Sequence, residues 1–510
     1  MFDLGRSLMA SVARTPRELA VVDGKNRLSY TECYDHVSAL VDGLNRLGLT
    51  RGDRLVTALQ NNIAATSVYW ACQMAGIAIV PVNWRSKPEE LDFFIENSEA
   101  KALVFDGSSR ESVSQASMAS ARPSIGYKAE VTGSLDFDKL AQARADDACP
   151  QAAPDDLSVI LYTSGTTARP KGVPRRHRSE RAAAIAHVAQ NLMPRGDCTL
   201  GVMPLYHTMG VRSLLAMSLL GGCFVCLPRF NVGEALKLIE AERIGSLYLV
   251  PTLYNDLLAH DEFKKTDLST IKRLGFAGAS MTDGLLRRLE RAFQPEIFVN
   301  HYGSSEIYTF SVEPNAPAKP GSAGKAGLNQ MLRVVALGSG DCEACVDVGE
   351  EGEIIAMMAG DEAFEGYLDR PEADEKALRN GWYFTGDSGR FDADGDLFVT
   401  GRVDDMIITG GENVSPVEVE SCLSLHPDVD EAAVVGLPDE RWGKIVTAFV
   451  KRSAPITKSE LDNHCRESDL ANFKRPRQFV FVAELPKSPV GKLLRRCLVS
   501  GEYTPEPGSK

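Results

Sequence analysis

The chain has 510 residues, of which 44% are hydrophobic, and its 56 basic and 69 acidic residues give a formal net charge of −13. This length is too great for one compact core, so we expect a globular protein of two or more domains. The acidic excess argues against a nucleic-acid partner, whose binding surface would be basic. The first residues lack the charged-then-apolar pattern of a secretory signal, which favours a cytoplasmic protein.

Helix and strand patterns alternate in the N-terminal third. Apolar residues share one helical face between residues 37 and 47, and Gly48 ends that helix. The elements predicted next are a strand over 55–59, a helix over 67–75, a strand over 77–82, a helix that opens at Pro88 and a strand over 102–105. The alternation resumes over 159–299. It predicts an α/β fold with parallel sheets covered by helices.

The longest apolar stretch runs from Leu214 to Leu227, and two glycines lie at its centre. It is shorter than the roughly 20 residues that a membrane-spanning helix needs. We therefore expect it to form core, and we expect no membrane span in this chain.

The texture changes over residues 334–399 to short strands separated by Gly/Asp-rich turns, which predicts a β-rich subdomain. The polar segment Gly401–Asp405 reads as a hinge. A small α/β unit follows, whose first helix has Ser415 as N-cap, Pro416 at the first position and Glu418 for a capping box. The predicted organisation is a large body over 1–401, a hinge over 402–405 and a small lid domain over 406–510.

Eleven cysteines include two C-x-x-C pairs, Cys223/Cys226 and Cys342/Cys345. Four thiolates can hold a structural zinc ion. The pairs are far apart and lack supporting histidines or turn residues, so reduced, mostly buried cysteines are the favoured interpretation.

A loop rich in donors directly follows the predicted strand Val159–Tyr162. Residues 163–172 read Thr-Ser-Gly-Thr-Thr-Ala-Arg-Pro-Lys-Gly, and such hydroxyls, backbone amides and a lysine suit a polyphosphate. It is not a Walker A loop, because Pro170 and Gly172 stand where that loop requires glycine and Ser/Thr.

Residues 162–172 resemble the signature loop of the adenylate-forming superfamily, which includes acyl-CoA synthetases, luciferases and peptide-synthetase adenylation domains. The resemblance implies an ATP site, with Thr163 also taking part in catalysis. Its phosphate-binding residues would be Thr163, Ser164, Gly165, Thr166, Thr167 and Lys171. Ala168 departs from the glycine usual in the family.

The acyl pocket is implied by Pro204–His207, which resembles the motif whose histidine borders that pocket. His207 would be catalytic, although alone it would be read as a core histidine. The implied pocket residues are His207, Thr208, Met209, Tyr248, Ala277 and Gly303. Arg212 is unexpected near this pocket. It could bind a second acidic group, but a position on the helix surface is favoured.

Two further body segments resemble nucleotide motifs. The glycine-rich run 275–280 lets the backbone approach a flat base. Residues 300–306 resemble the adenine and magnesium motif, in which Tyr302 would stack on the purine, Ser305 would donate to the α-phosphate and Glu306 would hold Mg²⁺. The residues implied at the nucleotide are Gly278, Ala279, Ser280, Asn300, His301, Tyr302, Gly303, Ser304 and Ser305.

Three charged residues complete the implied adenylation site. Asp387, in a Tyr-Phe-Thr-Gly-Asp motif, would bind both ribose hydroxyls, and Arg402 would also reach the ribose. Lys492, in Pro486–Lys492, would be catalytic and join carboxylate and α-phosphate electrostatically. Asp404 matches the hinge residue of the family. The resemblance implies that the lid rotates about this residue.

Coenzyme A is the implied partner of a second lid face. Gly410 and Gly411 resemble the glycine loop beside the pantetheine tunnel. An aromatic and basic patch resembles the site for its nucleotide, with a solvated basic turn as the alternative. This patch comprises Trp442, Phe473, Lys474, Arg475 and Arg477.

The resemblance covers nearly the whole chain and looks closest to bacterial aryl-CoA ligases of the benzoate type. It implies an enzyme that uses ATP, Mg²⁺ and coenzyme A to convert a small carboxylic acid into an acyl-adenylate and then a thioester. A benzoate-like acid is the first candidate and a short or medium fatty acid the second. Three alternatives stay open: a peptide-synthetase adenylation unit, a luciferase-like oxygenase and a non-catalytic nucleotide sensor. The oligomeric state cannot be read from the sequence, and a homodimer is left open.

Overall fold

A computed structural model describes residues 2–142, 147–163, 170–488 and 491–507. Within these ranges the strands form sheets of fourteen, seven, four and two strands. In chain order the strands are β1 Leu19–Asp23, β2 Asn26–Ser29, β3 Arg54–Ala58, β4 Ala78–Pro81, β5 Ala102–Asp106, β6 Ser124–Tyr127, β7 Leu135–Asp136, β8 Leu157–Thr163, β9 Lys171–Arg176, β10 Cys198–Gly201, β11 Cys223–Cys226, β12 Ser246–Leu249, β13 Arg273–Phe276, β14 Ile297–Tyr302, β15 Ser311–Glu313, β16 Ser322–Ala326, β17 Leu332–Val335, β18 Gly352–Met357, β19 Leu378–Arg379, β20 Trp382–Phe391, β21 Leu397–Arg402, β22 Ile407–Thr409, β23 Glu412–Val414, β24 Val429–Asp439, β25 Gly443–Arg452, β26 Gln478–Glu484 and β27 Thr504–Pro505.

The α-helices pack on the faces of these sheets, as expected for parallel strands buried on both sides. They are α1 Leu4–Arg14, α2 Tyr30–Arg46, α3 Ile63–Ala75, α4 Pro88–Asn97, α5 Arg110–Gln115, α6 Ser117–Ser120, α7 Phe137–Leu140, α8 His177–Gln190, α9 Thr208–Leu220, α10 Val232–Ala241, α11 Pro251–Ala259, α12 Asp283–Phe293, α13 Pro371–Ala377, α14 Pro416–Ser424, α15 Lys458–Glu467 and α16 Arg495–Val499. None of the helices in the described ranges combines the length and the apolar character that crossing a membrane requires.

The seven-stranded sheet has the order β7-β6-β5-β3-β4-β8-β9. Its strands pair in parallel except at one edge, where β9 runs antiparallel to β8 and Lys171 lies opposite Thr163. The two ends of the predicted phosphate loop are therefore held side by side at the end of a hairpin.

The largest sheet has a parallel part and an antiparallel part. Strands β1, β11, β10, β12, β13 and β14 pair in parallel, and β15, β16, β21, β20, β18 and β17 continue the sheet in antiparallel pairs. The predicted β-rich region is thus confirmed as antiparallel strands that extend the sheet of the body.

Most predicted helices and strands lie within a few residues of their observed bounds. The helix predicted over 67–75 begins earlier, at Ile63, because the Asn62 side chain accepts a hydrogen bond from the Ala65 backbone N–H at 3.0 Å and caps it. The apolar stretch from Leu214 to Leu227 forms the end of α9, a left-handed turn at Gly221 and buried β11, which confirms it as core.

Strands β22–β27 and helices α14–α16 form the small C-terminal domain, in whose core Ile407 and Val414 pack. Ser415 caps α14 as predicted, since its Oγ accepts from the Glu418 N–H at 3.4 Å. The predicted capping box is wrong in its second half: the Glu418 carboxylate instead accepts two hydrogen bonds from Lys474 Nζ, at 2.6 and 2.9 Å. A cation on a neighbouring turn competes for this carboxylate more strongly than the backbone does.

Candidate active site

Three neighbouring parallel strands of the largest sheet end at one edge. Leu249 at the end of β12 lies opposite Phe276, and Phe276 at the end of β13 lies opposite Asn300 in β14. Loops that leave the carboxyl ends of adjacent parallel strands lie together, which is where ligands bind in open α/β sheets. The predicted pocket and nucleotide segments around 248, 277–280 and 300–306 therefore meet at this edge.

The phosphate-loop hairpin reaches the same edge through the segment 364–368. The Leu368 N–H donates to the Gly172 carbonyl at 2.9 Å, and the Phe364 N–H donates to the Glu306 carbonyl at 2.9 Å. Lys171 Nζ lies 4.0 Å from the centroid of the Tyr367 ring. Burial lowers the pKa of Lys171, and the Glu306 carboxylate opposes that shift. Ser164, Gly165, Thr166, Thr167 and Ala168 lie outside the described residues.

Glu306 is a buried carboxylate at the centre of the site, with 6% of its surface exposed. Its Oε1 accepts a hydrogen bond from the Tyr367 hydroxyl at 2.6 Å. Among the described residues, no lysine, arginine or histidine lies within ion-pairing distance of it. Lys171 and Lys492 interact with it only at longer range. A buried carboxylate with no directly paired cation is costly, so Glu306 fits a divalent metal ion held among phosphate oxygens.

The turn that presents Glu306 depends on small residues. Ser304 Oγ accepts from the backbone N–H groups of Glu306 and Ile307, at 3.2 and 3.3 Å. A Cβ at Gly303 would lie 2.1 Å from the Tyr308 carbonyl oxygen, so only glycine fits there. Asn300 donates to the Ser322 carbonyl at 2.7 Å and ties the end of β14 to β16.

Asp387 lies between two donors. Tyr302 Oη donates to its Oδ2 at 2.6 Å and Arg402 donates to its Oδ1 at 2.8 Å. Burial raises the pKa of Asp387, while Arg402 and Tyr302 oppose the rise. The contact gives Tyr302 a polar partner in addition to the predicted stacking on a purine.

Lys492 of the C-terminal domain lies against the body. The Thr252 hydroxyl donates to the Gly491 carbonyl at 2.9 Å, and a Cβ at Gly278 would lie 3.1 Å from Lys492 Cε. Burial lowers the pKa of Lys492, and the carboxylates of Asp387 and Glu306 oppose this shift, which places the ammonium in their field. The exposed residues Ala279 and Ser280 follow Gly278 in the chain.

The predicted acyl-pocket residues lie beside Lys492. His207 caps α9, where its Nδ1 accepts from the Met209 N–H at 3.4 Å, and burial together with the nearby Lys492 lowers the pKa of His207 to about 3. Met209, Tyr248 and the partly buried Ala277 pack in one apolar cluster. Thr208 is half-buried at the start of the same helix. The neutral imidazole and apolar wall suit an uncharged acyl group.

The expected helix-surface position of Arg212 is wrong. Its side chain is buried, with 2% of the residue exposed, and it donates to the Tyr308 carbonyl at 3.1 Å and to Thr309 Oγ1 at 2.8 Å. A helix-surface assignment fails here because α9 is enclosed by α8 on one side and the turn after Glu306 on the other.

His301 also departs from the predicted nucleotide contact. Its side chain is 2% exposed and its Nε2 lies 3.1 Å from Asn191 Oδ1, inside the body. Successive side chains of a strand point to opposite faces, so Tyr302 faces Asp387 while His301 faces the interior.

A buried ion pair that the sequence did not indicate supports the Glu306 turn. Arg175 pairs with Glu180, and its NH1 donates to the carbonyls of Ser305, Glu306 and Glu362 at 3.3, 3.1 and 2.9 Å. Its guanidinium also lies 3.7 Å from the centroid of the Tyr308 ring. The alternation of β9 was a usable signal, because Arg175 shares the inward face with Val173. No local sequence pattern indicated that Tyr367 would contact Glu306.

The predicted coenzyme A residues lie on the C-terminal domain. Arg477 Cζ lies 4.3 Å from the centroid of the Trp442 ring, and a Cβ at Gly410 would lie 2.7 Å from the same ring. Phe473 is 42% exposed. Lys474 and Arg475 are engaged by Glu418 and Asp462, so their positive charges are partly compensated.

One group of possible metal ligands is found in the part of the chain that the structure describes. It consists of Asp392, Asp394 and Asp396, and all three lie within 3.0 Å of Lys319 Nζ, which supplies the positive charge. The C-x-x-C pairs do not form such a group in these ranges, and the cysteines there are free.

Comparison with known proteins identifies the family. The profile of AMP-binding enzymes matches residues 8–368, and that of the AMP-binding enzyme C-terminal domain matches residues 418–492. The chain belongs to the AMP-binding enzyme family. The predicted resemblance to the adenylate-forming superfamily is thereby confirmed.

Curated relatives of this AMP-binding enzyme are CoA ligases. A 4-chlorobenzoate–CoA ligase of an Arthrobacter species is 34% identical over 493 residues, which cover 96% of this chain and 93% of the relative. The long-chain-fatty-acid–CoA ligase FadD13 of Mycobacterium tuberculosis is 31% identical over 515 residues and covers 98% of both chains. The enzyme is an AMP-forming acid–CoA ligase, which confirms the predicted class.

Solved structures confirm the predicted fold class, with a large body and a smaller C-terminal domain. The anthranilate–CoA ligase AuaEII in complex with anthranoyl-AMP superimposes with a TM-score of 0.88 at 25% identity, covering 98% of this chain and 97% of that one. ATP-bound MatB from Rhodopseudomonas palustris gives 0.85 at 28% identity and covers 98% of both chains. The boundaries at 401/402 and 405/406, and the hinge role of exposed Asp404, stay predictions.

Proposed function

We propose that this AMP-binding enzyme activates a benzoate-like aromatic acid with ATP and Mg²⁺ and transfers the aroyl group to coenzyme A. The observation that carries the proposal is the position of Lys492 beside Gly278, at the sheet edge after which Glu306 follows and where Tyr302 hydrogen-bonds Asp387. Tyr248 and Met209 supply an apolar wall beside it. A relative of 34% identity acts on 4-chlorobenzoate, which favours the aromatic acid over the fatty acid.

The first half-reaction brings two anions together. The acid carboxylate attacks the α-phosphorus of ATP and pyrophosphate leaves. In our proposal Lys492 and Lys171 neutralise charge on the carboxylate and phosphates, Ser305 donates to the α-phosphate and Asp387 with Arg402 holds the ribose. Glu306 would hold Mg²⁺, which screens the phosphate charge when bound.

The second half-reaction transfers the acyl group from AMP to the thiol of coenzyme A. We propose that the lid rotates about Asp404, so that Lys492 leaves and the face with Gly410, Gly411 and Trp442 comes to the site. Trp442 and Arg477 offer an aromatic face and a cation for a purine and a phosphate. A homodimer and a cytoplasmic location remain predictions, which sedimentation and fractionation would test.

The proposed function is tested by pyrophosphate release across a panel of acids, with ATP and Mg²⁺, in the presence and absence of coenzyme A. Benzoates should support pyrophosphate release, and this release should continue over multiple turnovers only when coenzyme A is present. Fatty acids of about six to ten carbons, which are roughly the size of such a pocket, should support slower release. Efficient turnover of fatty acids alone would reject the aromatic assignment. Light emission or oxygen uptake without a thioester would reject the ligase assignment.

Gly411→Leu is expected to slow thioester formation from preformed adenylate far more than adenylate formation. Gly411 has φ +91° with open space around its Cβ position, so a leucine there would project into the path predicted for the thiol. We expect a loss of about 100-fold in the second half-reaction, as for a misplacement near the reacting atoms. The two half-reactions would be measured separately by rapid quench.

Gly381→Leu is the matched control for backbone strain. Gly381 has φ +80° and equally open surroundings, but lies in the turn before β20. Equal effects of the two substitutions on the second half-reaction would remove Gly411 from the thiol path.

A further inference from the structure

Tyr367 is a buried side chain that contacts two residues of opposite charge. Its hydroxyl donates to Glu306 Oε1 at 2.6 Å, and Lys171 Nζ lies over its ring, 4.0 Å from the centroid. Only 6% of Tyr367 is exposed, so both contacts are shielded from water. One tyrosine therefore holds a carboxylate at its hydroxyl and an ammonium at its ring face.

The backbone on either side of Tyr367 is tied to the same two segments. The Phe364 N–H donates to the Glu306 carbonyl and the Leu368 N–H donates to the Gly172 carbonyl, both at 2.9 Å. The rings of Phe364 and Tyr367 also pack edge to face, with their centroids 5.0 Å apart. The tyrosine is thus positioned by the turn that carries Glu306 and by strand β9, which begins at Lys171.

Glu306 and Lys171 do not pair with each other directly. No ion pair joins them within 4.0 Å in the ranges that the structure describes. They are nevertheless close enough to interact, since burial lowers the pKa of Lys171 and the Glu306 carboxylate opposes that shift. Direct pairing would neutralise both charges, and neither would then be free to bind a metal ion or a phosphate.

A second buried glutamate of the body shows the contrasting arrangement. Glu180 also accepts from a tyrosine, since Tyr308 Oη donates to its Oε2 at 3.1 Å, but Arg175 pairs with it as well. Glu306 has the tyrosine without a directly paired cation among the described residues. A phenol is a neutral donor, so it orients a carboxylate and leaves the negative charge in place. An aromatic face likewise attracts an ammonium without cancelling its charge.

We propose that Tyr367 is a positioning residue that keeps Glu306 and Lys171 apart and available for Mg²⁺ and the phosphates of ATP. Its hydroxyl holds the carboxylate, its ring holds the ammonium, and neither contact neutralises the charge that it holds. The inference rests on the proposed function, in which Glu306 holds Mg²⁺ and Lys171 neutralises phosphate charge. It does not depend on which acid is activated.

Tyr367→Phe isolates the hydroxyl. We would measure the Kd of ATP by isothermal titration calorimetry without any acid, once with saturating Mg²⁺ and once with EDTA. Phenylalanine keeps the ring under Lys171 and loses the donor to Glu306. The factor by which Mg²⁺ tightens ATP binding should therefore fall by about 10-fold, as for one lost hydrogen bond to a charged group, while the Kd in EDTA stays the same. An unchanged factor would overturn the proposal.

Tyr367→Leu removes both contacts and should let Lys171 pair with Glu306. ATP in EDTA should then bind about 10-fold more weakly than to wild type, because Lys171 is no longer free for the phosphates. Adding Glu306→Gln should release Lys171, so its gain in ATP affinity should be at least about threefold larger in the leucine variant than in wild type. Weaker binding without this extra gain would show that Tyr367 only fills space, and would overturn the proposal.

Tyr30→Phe is the matched control for the loss of a buried tyrosine hydroxyl. Tyr30 Oη donates to the carbonyls of Met217 and Gly222 at 3.0 and 2.8 Å, so it connects α2 to the end of α9. Both Kd values should stay at the wild-type level. The same fall in Tyr30→Phe as in Tyr367→Phe would overturn the proposal.

The titrations separate recognition from folding and from the choice of acid. A loss of folded enzyme lowers the number of ATP sites per chain and leaves the Kd unchanged. Equal binding of ATP to the wild-type enzyme with and without Mg²⁺ would overturn the proposal. A wrong assignment of the benzoate-like acid would leave every one of these titrations unchanged, because no acid is present in them.

Discussion

Lys492→Ala is expected to abolish most acyl-adenylate formation while thioester formation from preformed adenylate keeps most of its rate. The Lys492 ammonium lies in the field of Glu306 and Asp387, and its stem packs against Gly278, so it is placed where carboxylate and phosphate meet. Removing one preorganised charge from such a site costs about 100- to 1,000-fold in rate. Single-turnover measurements of each half-reaction would show the difference.

Lys487→Ala is the control in the same motif. Lys487 Nζ pairs with Glu431 within the C-terminal domain at 2.7 Å, so it does not face the site. Its replacement should leave adenylate formation within about threefold of wild type, since partly exposed ion pairs contribute little. Equal losses in both half-reactions of Lys492→Ala would contradict the proposed exchange of lid faces.

The sequence predicted the elements that depend on local patterns. The strand before the phosphate loop, the helix at Pro88 and the Ser415 cap were found because a short apolar run, proline at a first helical position and a capping hydroxyl act within a few residues. The family resemblance placed Tyr248, Ala277 and Gly303 in one pocket, and the structure explains this because parallel strands bring their carboxyl ends to one edge.

The errors involve contacts made over long sequence separations. Glu418 was expected to bond its own helix N-terminus, but Lys474, 56 residues away, binds its carboxylate. Arg212 was expected at a surface because arginine is seldom buried, yet the carbonyl of Tyr308, 96 residues away, satisfies part of its guanidinium. Tyr367, which holds Glu306, lies 61 residues from it and carries no local pattern. Partners of this kind are set by the packing of whole layers.

Arg175→Met is expected to lower the free energy of unfolding of the body by about 3–5 kcal/mol, the typical effect of removing one partner of a buried ion pair. Arg175 and Glu180 are both fully buried, so the remaining carboxylate would have no cation in place of the lost one. The variant should also lose activity, because the carbonyls of Ser305 and Glu306 lose their donor. Urea unfolding followed by fluorescence would measure the first effect and pyrophosphate release the second.

The neighbouring residue distinguishes this explanation from a general loss of positive charge. Arg176, on the opposite face of β9, pairs with Glu365, and these side chains are 32% and 51% exposed. Exposed pairs contribute about 0–1 kcal/mol, so Arg176→Met should be nearly neutral. The double variant Arg175→Met/Glu180→Leu should recover part of the lost stability, because it removes the unpaired buried carboxylate. Similar losses of stability in Arg175→Met and Arg176→Met, with no recovery in the double variant, would show that the buried pair does not support the Glu306 turn.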